Sequence, residues 1–210
     1  MINLTKLEEP DVLRLNGEGW LQVLEDKIAA GEKPTESEKG RYRHVEIKER
    51  LKEETHGKCA YCESHLLHIT YGDVEHITPK SPHLHETFRW ENLTLACDVC
   101  NTNKGTVAGI FDPYINEPAE AFSFLGPMIV PRAGNHAAVL TEKQLKLNRG
   151  ALVERRLDKL RVISDQLLVL ANAPTEELRA VIRQDLEENE TGADKEYSAF
   201  VRSFLDVMLI

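Results

Sequence analysis

Two short cysteine pairs constrain this chain more than any other feature. Cys59-Ala60-Tyr61-Cys62 and Cys97-Asp98-Val99-Cys100 hold all four cysteines of the 210 residues and stand 34 residues apart. A two-residue spacer lets both sulfurs of one pair reach one ion while the backbone turns tightly, and tetrahedral zinc takes four thiolates at about 2.3 Å. The pattern predicts one structural Zn²⁺ on Cys59, Cys62, Cys97 and Cys100. The competing reading is a pair of disulfides in a secreted protein. Four cysteines are sparse for a disulfide scaffold and no targeting leader is read, so a reducing, cytoplasmic setting is expected.

A polar cluster lies between and just after the pairs: Gly72-Asp73-Val74-Glu75-His76-Ile77-Thr78-Pro79-Lys80, then Trp90-Glu91-Asn92-Leu93, then Asn101-Thr102-Asn103-Lys104. Hydrolysing a phosphodiester requires a water made nucleophilic and a place for the charge that develops on phosphate and leaving oxygen. A histidine, titrating near pH 6.5, is suited to be the base at neutral pH. A hard cation such as Mg²⁺ or Mn²⁺, held by only one or two protein oxygens, keeps sites free for phosphate. The candidates are His76 as base, Glu75 and Asn101 as cation ligands, and Asn92 to fix the loop or orient the histidine. Lys104, Lys80 and Arg89 are candidate phosphate contacts. Each has a plainer use: a strand-end histidine satisfied by neighbours, and asparagines capping a turn or a helix. Asp73, after Gly72, is a secondary candidate that reads equally as a turn residue. His83 and His85 sit in a proline-containing loop with no fixed metal geometry.

This order of residues resembles the HNH endonuclease family, whose ββα-metal site has an acidic residue and a histidine ending one strand, an asparagine opening the next, and an asparagine or histidine after the second knuckle. His76, Asn92 and Asn101 match those three positions. Glu75 stands where the family usually has Asp, which lengthens the proposed ligand by one methylene. Lys58-Cys59-Ala60-Tyr61-Cys62-Glu63, Asp73-Val74-Glu75-His76 and Trp90-Glu91-Asn92-Leu93 through Lys104-Gly105, with Leu147-Asn148-Arg149 in support, look like the PtuB-type HNH subunits of Septu and retron-associated anti-phage systems. That resemblance covers residues 50–115 and implies a nucleic-acid substrate and an ABC/SMC-like ATPase partner (PtuA-type).

The net charge of −9 argues against strong unaided binding to nucleic acid, whose affinity comes largely from Lys and Arg. Residues 41–104 hold 9 basic and 10 acidic side chains, so the nuclease-like stretch is close to neutral. Basic residues Arg41, Arg43, Lys48, Arg50 and Lys52 could contact nucleic acid, but the interleaved Glu46, Glu49, Glu53 and Glu54 make a solvated, salt-bridged helix face the better reading. His44-Val45-Glu46 ahead of a CxxC hints at a zinc deaminase, but that signature needs Pro before its cysteine pair, where this chain has Ala96, and would leave Cys59 and Cys62 idle.

The pattern predicts an α+β, mainly helical protein around a central zinc-stabilised ββα-metal module. It divides into an N-terminal helical segment (1–56), the module (57–115), a turn-rich connection (116–140) and a C-terminal helical region (141–210). Helices are expected over 18–30, 35–55, 98–104, 141–170 with a break near 148–150, 175–190 and 193–210, and strands over 66–77 and 93–95. The apolar tail carrying Phe200, Phe204 and Val207 is expected to pack into its own core, with a partner as the other use. Three functional readings stand: a metal-dependent nuclease working with an ATPase, a non-catalytic zinc-stabilised binding module, and a stand-alone HNH nuclease.

Overall fold

Helix α1 (Asp11–Ala29) opens the ordered helices, seven residues before the periodic stretch begins. Pro10, extended at φ −65°, sets its first turn, and Leu13 and Leu24 are its buried residues. The computed structural model describes residues 1–66 and 70–208. It forms an α+β, mainly helical protein in which one buried cluster draws residues from along the chain, from Met1 to Leu205.

The single helix expected over 35–55 is broken in two. Thr35 and Glu38 form a capping box, yet α2 (Glu36–Lys39) ends at once at Gly40. A Cβ at Gly40 would stand 2.9 Å from Glu36 O, so this tight ending requires glycine. A 3₁₀ turn over Arg41–Arg43 follows, and His44 caps α3 (Val45–Thr55) by accepting from Glu46 N at 3.3 Å. Tyr42, in the 3₁₀ turn after the break, is buried in the core.

The ββα element then forms as the pattern implies. Strand β1 (Asp73–His76) pairs antiparallel with β2 (Leu93–Ala96), with Glu75 opposite Thr94 and His76 opposite Leu93. Residues 67–69, part of the longer strand expected here, lie outside the described residues. Helix α4 (Asp98–Lys104) starts directly at the second cysteine pair, and Cys97 is its cap, accepting from Cys100 N at 3.3 Å. Ala60 N donates to Leu95 O at 2.9 Å and so binds the first cysteine turn to the sheet. Gly72 turns into β1 at φ +65°, with Leu66 and Leu95 packed where a side chain would be.

Beyond the module, α5 (Pro118–Ala121) leads into a hairpin of β3 (Phe122–Leu125) and β4 (Met128–Pro131), short strands in the turn-rich region. Helix α6 (His136–Leu145) begins five residues before the expected Thr141, because Asn135 caps it by accepting from Ala138 N at 2.9 Å. Then come α7 (Gly150–Ala171), α8 (Glu176–Glu190), which Thr175 caps by accepting from Leu178 N, and α9 (Ser198–Met208). Phe200 is buried against Phe124 with ring centroids 5.4 Å apart, whereas Val207 is 72% exposed, so the tail packs along one face only. Among the described residues no helix is long and apolar enough to cross a membrane.

Candidate metal centre and active-site cavity

All four cysteines are buried, free thiols. Their sulfurs lie within 4.8 Å of one another, with Cys62 Sγ and Cys97 Sγ 3.9 Å apart. Sulfurs placed 2.3 Å from a common tetrahedral centre stand about 3.8 Å apart, so the cluster has the size that one ion needs. Sulfur-to-sulfur hydrogen bonds, first that with Cys100, hold Cys62 well below the ordinary thiol range, while burial pushes Cys59 well above it. A soft dication would resolve that conflict by taking all four as thiolates.

The C-terminal helical region supplies the positive charge beside this cluster. Arg149, between α6 and α7, sets Nη1 3.7 Å from Cys100 Sγ and Nη2 3.9 Å from Cys97 Sγ. Ser64 Oγ stands 3.4 Å from Cys62 Sγ and shares a 2.9 Å hydrogen bond with Tyr197 Oη. Groups around a metal's ligands orient them and temper their charge. In the sequence Arg149 belongs to a helix interruption and to the Leu147-Asn148-Arg149 run that supports the resemblance, and neither places it beside the sulfurs.

Beside β1 and α4 lies a cavity of about 460 Å³, lined among others by Tyr42, Arg43, Lys48, Asp73, Glu75, His76, Lys80, Asn101 and Lys104. His76 is 6% exposed, and its Nε2 is 3.0 Å from Thr87 O. A carbonyl oxygen can only accept, so in the neutral ring Nε2 carries the proton and Nδ1 keeps its lone pair. Burial, helped by the nearby positive charges of Lys80, Lys104 and Arg43, lowers the imidazole from 6.5 to about 4. It is therefore an unprotonated base at neutral pH.

Asn92 anchors the loop that carries Thr87. Its Oδ1 accepts from Thr78 N at 2.7 Å, and its Nδ2 donates to Thr78 O at 2.9 Å and Glu86 O at 3.1 Å. One buried side chain thus joins the chain just after His76 to the segment that supplies the histidine's partner.

Asp73 and Glu75 alternate on β1 and both line the cavity. Asn101 Nδ2 donates to Asp73 Oδ2 at 2.9 Å, and among the described residues no hydrogen bond engages Asn101 Oδ1. Asp73, a secondary candidate in the sequence, is thus the carboxylate in direct contact with Asn101. Glu75 is more recessed: its Oε1 is 2.8 Å from Lys104 Nζ, and burial raises its carboxyl although Lys104 opposes the rise.

Two of the expected phosphate contacts are engaged within the chain. Lys104, which lines the cavity, is 1% exposed and donates to His76 O at 2.6 Å, so its ammonium is bonded to β1. Helix α4 packs on β1, and that contact draws the side chain inward. Arg89 is exposed, pairs with Glu86 at 2.6 Å and lies off the cavity lining. Lys80 does line the cavity. His83 and His85 stack edge to face outside the cavity at 5.9 Å, in the loop. Replacing Lys104 by methionine strands the Glu75 carboxylate, and urea unfolding is expected to register a loss of about 3–5 kcal/mol; a loss below about 1 kcal/mol would show that the pair is not buried as described.

Comparison with known proteins agrees with this geometry. Residues 59–106 match the HNH endonuclease family. The chain is 39% identical over 71 residues to Septu protein PtuB of Bacillus thuringiensis, a match covering 33% of this chain and 28% of that protein. It is 25% identical to Septu protein PtuB of Bacillus mycoides (strain KBAB4), a match covering 74% of this chain and 66% of that protein. The chain therefore spans no more than about two thirds of these curated relatives. With two cysteine pairs around a two-stranded sheet, a helix opening on the second pair and a histidine aimed into the cavity, the chain carries an HNH endonuclease domain at residues 59–106 and is similar to Septu protein PtuB beyond it.

Proposed function

We propose that this chain hydrolyses nucleic-acid phosphodiester bonds, with His76 as general base, as the nuclease subunit of an anti-phage defence system. The observation that carries the reading is the tautomer fixed by Thr87 O, which leaves Nδ1 of a buried, neutral histidine as the proton acceptor beside an oxygen-rich pair, Asp73 and Asn101. Nδ1 takes the proton of the attacking water. Asn92 keeps Thr87 O, and with it the ring, in place. Asp73, Asn101 and the recessed Glu75 form a hard-oxygen donor set of the kind that suits Mg²⁺ or Mn²⁺. Such an ion, when bound, neutralises charge on the phosphate and on the departing 3′-oxygen. The four cysteines hold the structural Zn²⁺ of the same reading. Four free thiols suit a reducing, cytoplasmic setting.

Similarity to Septu protein PtuB supports the defence role, and the net charge of −9 supports reliance on a second subunit, an ABC/SMC-like ATPase, for substrate capture. The test is Mg²⁺-dependent cutting of DNA and RNA panels by the chain alone and with the co-expressed ATPase. Cutting is expected with the partner present; an inert chain in both preparations returns the reading to a non-catalytic binding module, and equal cutting without any partner favours a stand-alone nuclease.

The pH profile adds a second check. The folded value of His76 lies below the ordinary value of about 6.5, so the ring stays unprotonated until the solution is more acidic than that. The acid limb of kcat/KM is expected below pH 6.5, and a limb centred above it would contradict the assigned base.

A further inference from the structure

Four of the five basic residues in the 41–52 segment fall into two classes that their sequence does not distinguish; the fifth, Arg41, lies over the Trp20 ring at 5.9 Å. Arg50 is paired with Glu53 at 2.9 Å, and Lys52 with Glu49 at 2.7 Å, the salt-bridged face expected of alternating charges. Arg43 and Lys48, in contrast, line the cavity, and so does Lys80. Among the described residues, none of these three has a carboxylate within 4.0 Å. The lining thus sets the four cations Arg43, Lys48, Lys80 and Lys104 against the two carboxylates Asp73 and Glu75, and Glu75 is already paired with Lys104, which leaves an excess of positive charge facing the cavity.

A buried aromatic ring arranges them. Tyr42, 3% exposed, stacks edge to face on His76 with centroids 4.5 Å apart. Its hydroxyl accepts from Lys80 Nζ at 2.9 Å, and the Arg43 guanidinium carbon lies 5.0 Å from its ring centre. The ring that bears on the histidine therefore also positions two of the cations. Gly40 makes this possible, because the tight helix end there turns Tyr42 inward and leaves its neighbour Arg43 at the cavity.

We propose that Arg43, Lys48 and Lys80 form a phosphate-gripping wall for the nucleic-acid backbone, contributed largely from outside the HNH domain, and that Tyr42 is the positioning residue that registers this wall on His76. The inference rests on the nuclease reading for its ligand class. Phosphate oxygens would be held between these cations and the Asp73–Asn101 pair, with the histidine adjoining both. The wall reads backbone charge and not bases, so it confers affinity without sequence preference.

The test uses the full chain, in complex with its ATPase if that is how it is active, with Ca²⁺ in place of Mg²⁺ to prevent cutting. The probes are 5′-fluorescein DNA oligonucleotides, single-stranded and duplex, and the corresponding RNA. The triple variant Arg43→Gln, Lys48→Gln, Lys80→Gln is compared with Arg50→Gln, Lys52→Gln, which removes charge from the same helix but not from the cavity. The triple variant is expected to bind at least tenfold more weakly and to lose about 0.7–0.9 from the slope of log K against log salt for each contact removed, whereas the control pair changes neither. Under Mg²⁺ the triple variant is expected to raise KM more than it lowers kcat. Tyr42→Phe, which keeps the stack and loses only the Lys80 hydrogen bond, should shift KM; Tyr42→Leu should lower kcat as well, at unchanged zinc content. Equal binding and equal salt slopes for the triple variant and the control pair would overturn the wall, as would a wild type that binds none of the probes. Loss of cutting in His76→Ala alongside unchanged salt slopes in the triple variant would sink this inference and leave the nuclease reading standing.

Discussion

Stripping the metal from the four-cysteine cluster is expected to unfold the centre of the chain, not merely to quench its activity. Structural zinc contributes roughly 10–16 kcal/mol to the small modules that depend on it. Whole domains are stable by only about 5–15 kcal/mol, so few could absorb such a loss. Here the dependence is built into the local structure. Cys97 caps α4, the first cysteine turn is hydrogen-bonded to β2, and all four sulfurs lie in or beside the same apolar cluster as Leu93 and Leu95. A strong zinc chelator should therefore release zinc and lower the melting temperature together, and Cys100→Ser should give protein that is poorly folded from the outset. A weak chelator, removing only the divalent cation of the cavity, should stop turnover and leave the melting curve unchanged. Zinc release with no change in melting would contradict this.

The second large effect is on catalysis. Replacing His76 by alanine is expected to lower kcat/KM by about 10²–10⁴, the usual contribution of a general base, equivalent to about 3–5 kcal/mol in the barrier. The stability cost should be much smaller. The lost hydrogen bond to Thr87 O and the lost contact with Tyr42 together amount to about 1–3 kcal/mol. Metal content and fold should survive, so inactivity cannot be assigned to unfolding. Cleavage at the wild-type rate in this variant would remove His76 from the mechanism.

Much of the centre could be read from spacing, because its constraints are local. Two CxxC pairs, a histidine ending one apolar run and an asparagine opening the next are separations that a small ββα element fixes by itself. The roles of Asp73, Lys104 and Arg43 were harder to read, and for three different reasons. Asp73 follows a glycine, where turn chemistry and ligand chemistry use the same residue. Lys104 follows the second cysteine pair by one turn, and only the packing of α4 on β1 decides whether its ammonium faces solvent or β1. Arg43 lies in a run of alternating charges whose helix period predicts one face, until Gly40 breaks the helix and changes which residues reach the cavity. Arg149 illustrates the same limit at longer range: nothing near it in sequence announces that it lies beside sulfurs some fifty residues away.

Four thiolates sharing one ion would join the first cysteine turn, β2 and α4, the frame on which β1 carries His76 to its cavity. Zinc K-edge X-ray absorption on the purified protein, with metal content measured on the same sample, addresses this most directly. The expected result is one zinc per chain with four sulfurs at about 2.3 Å. A folded protein without zinc, or one whose zinc has nitrogen or oxygen in place of any of the four sulfurs, would contradict it.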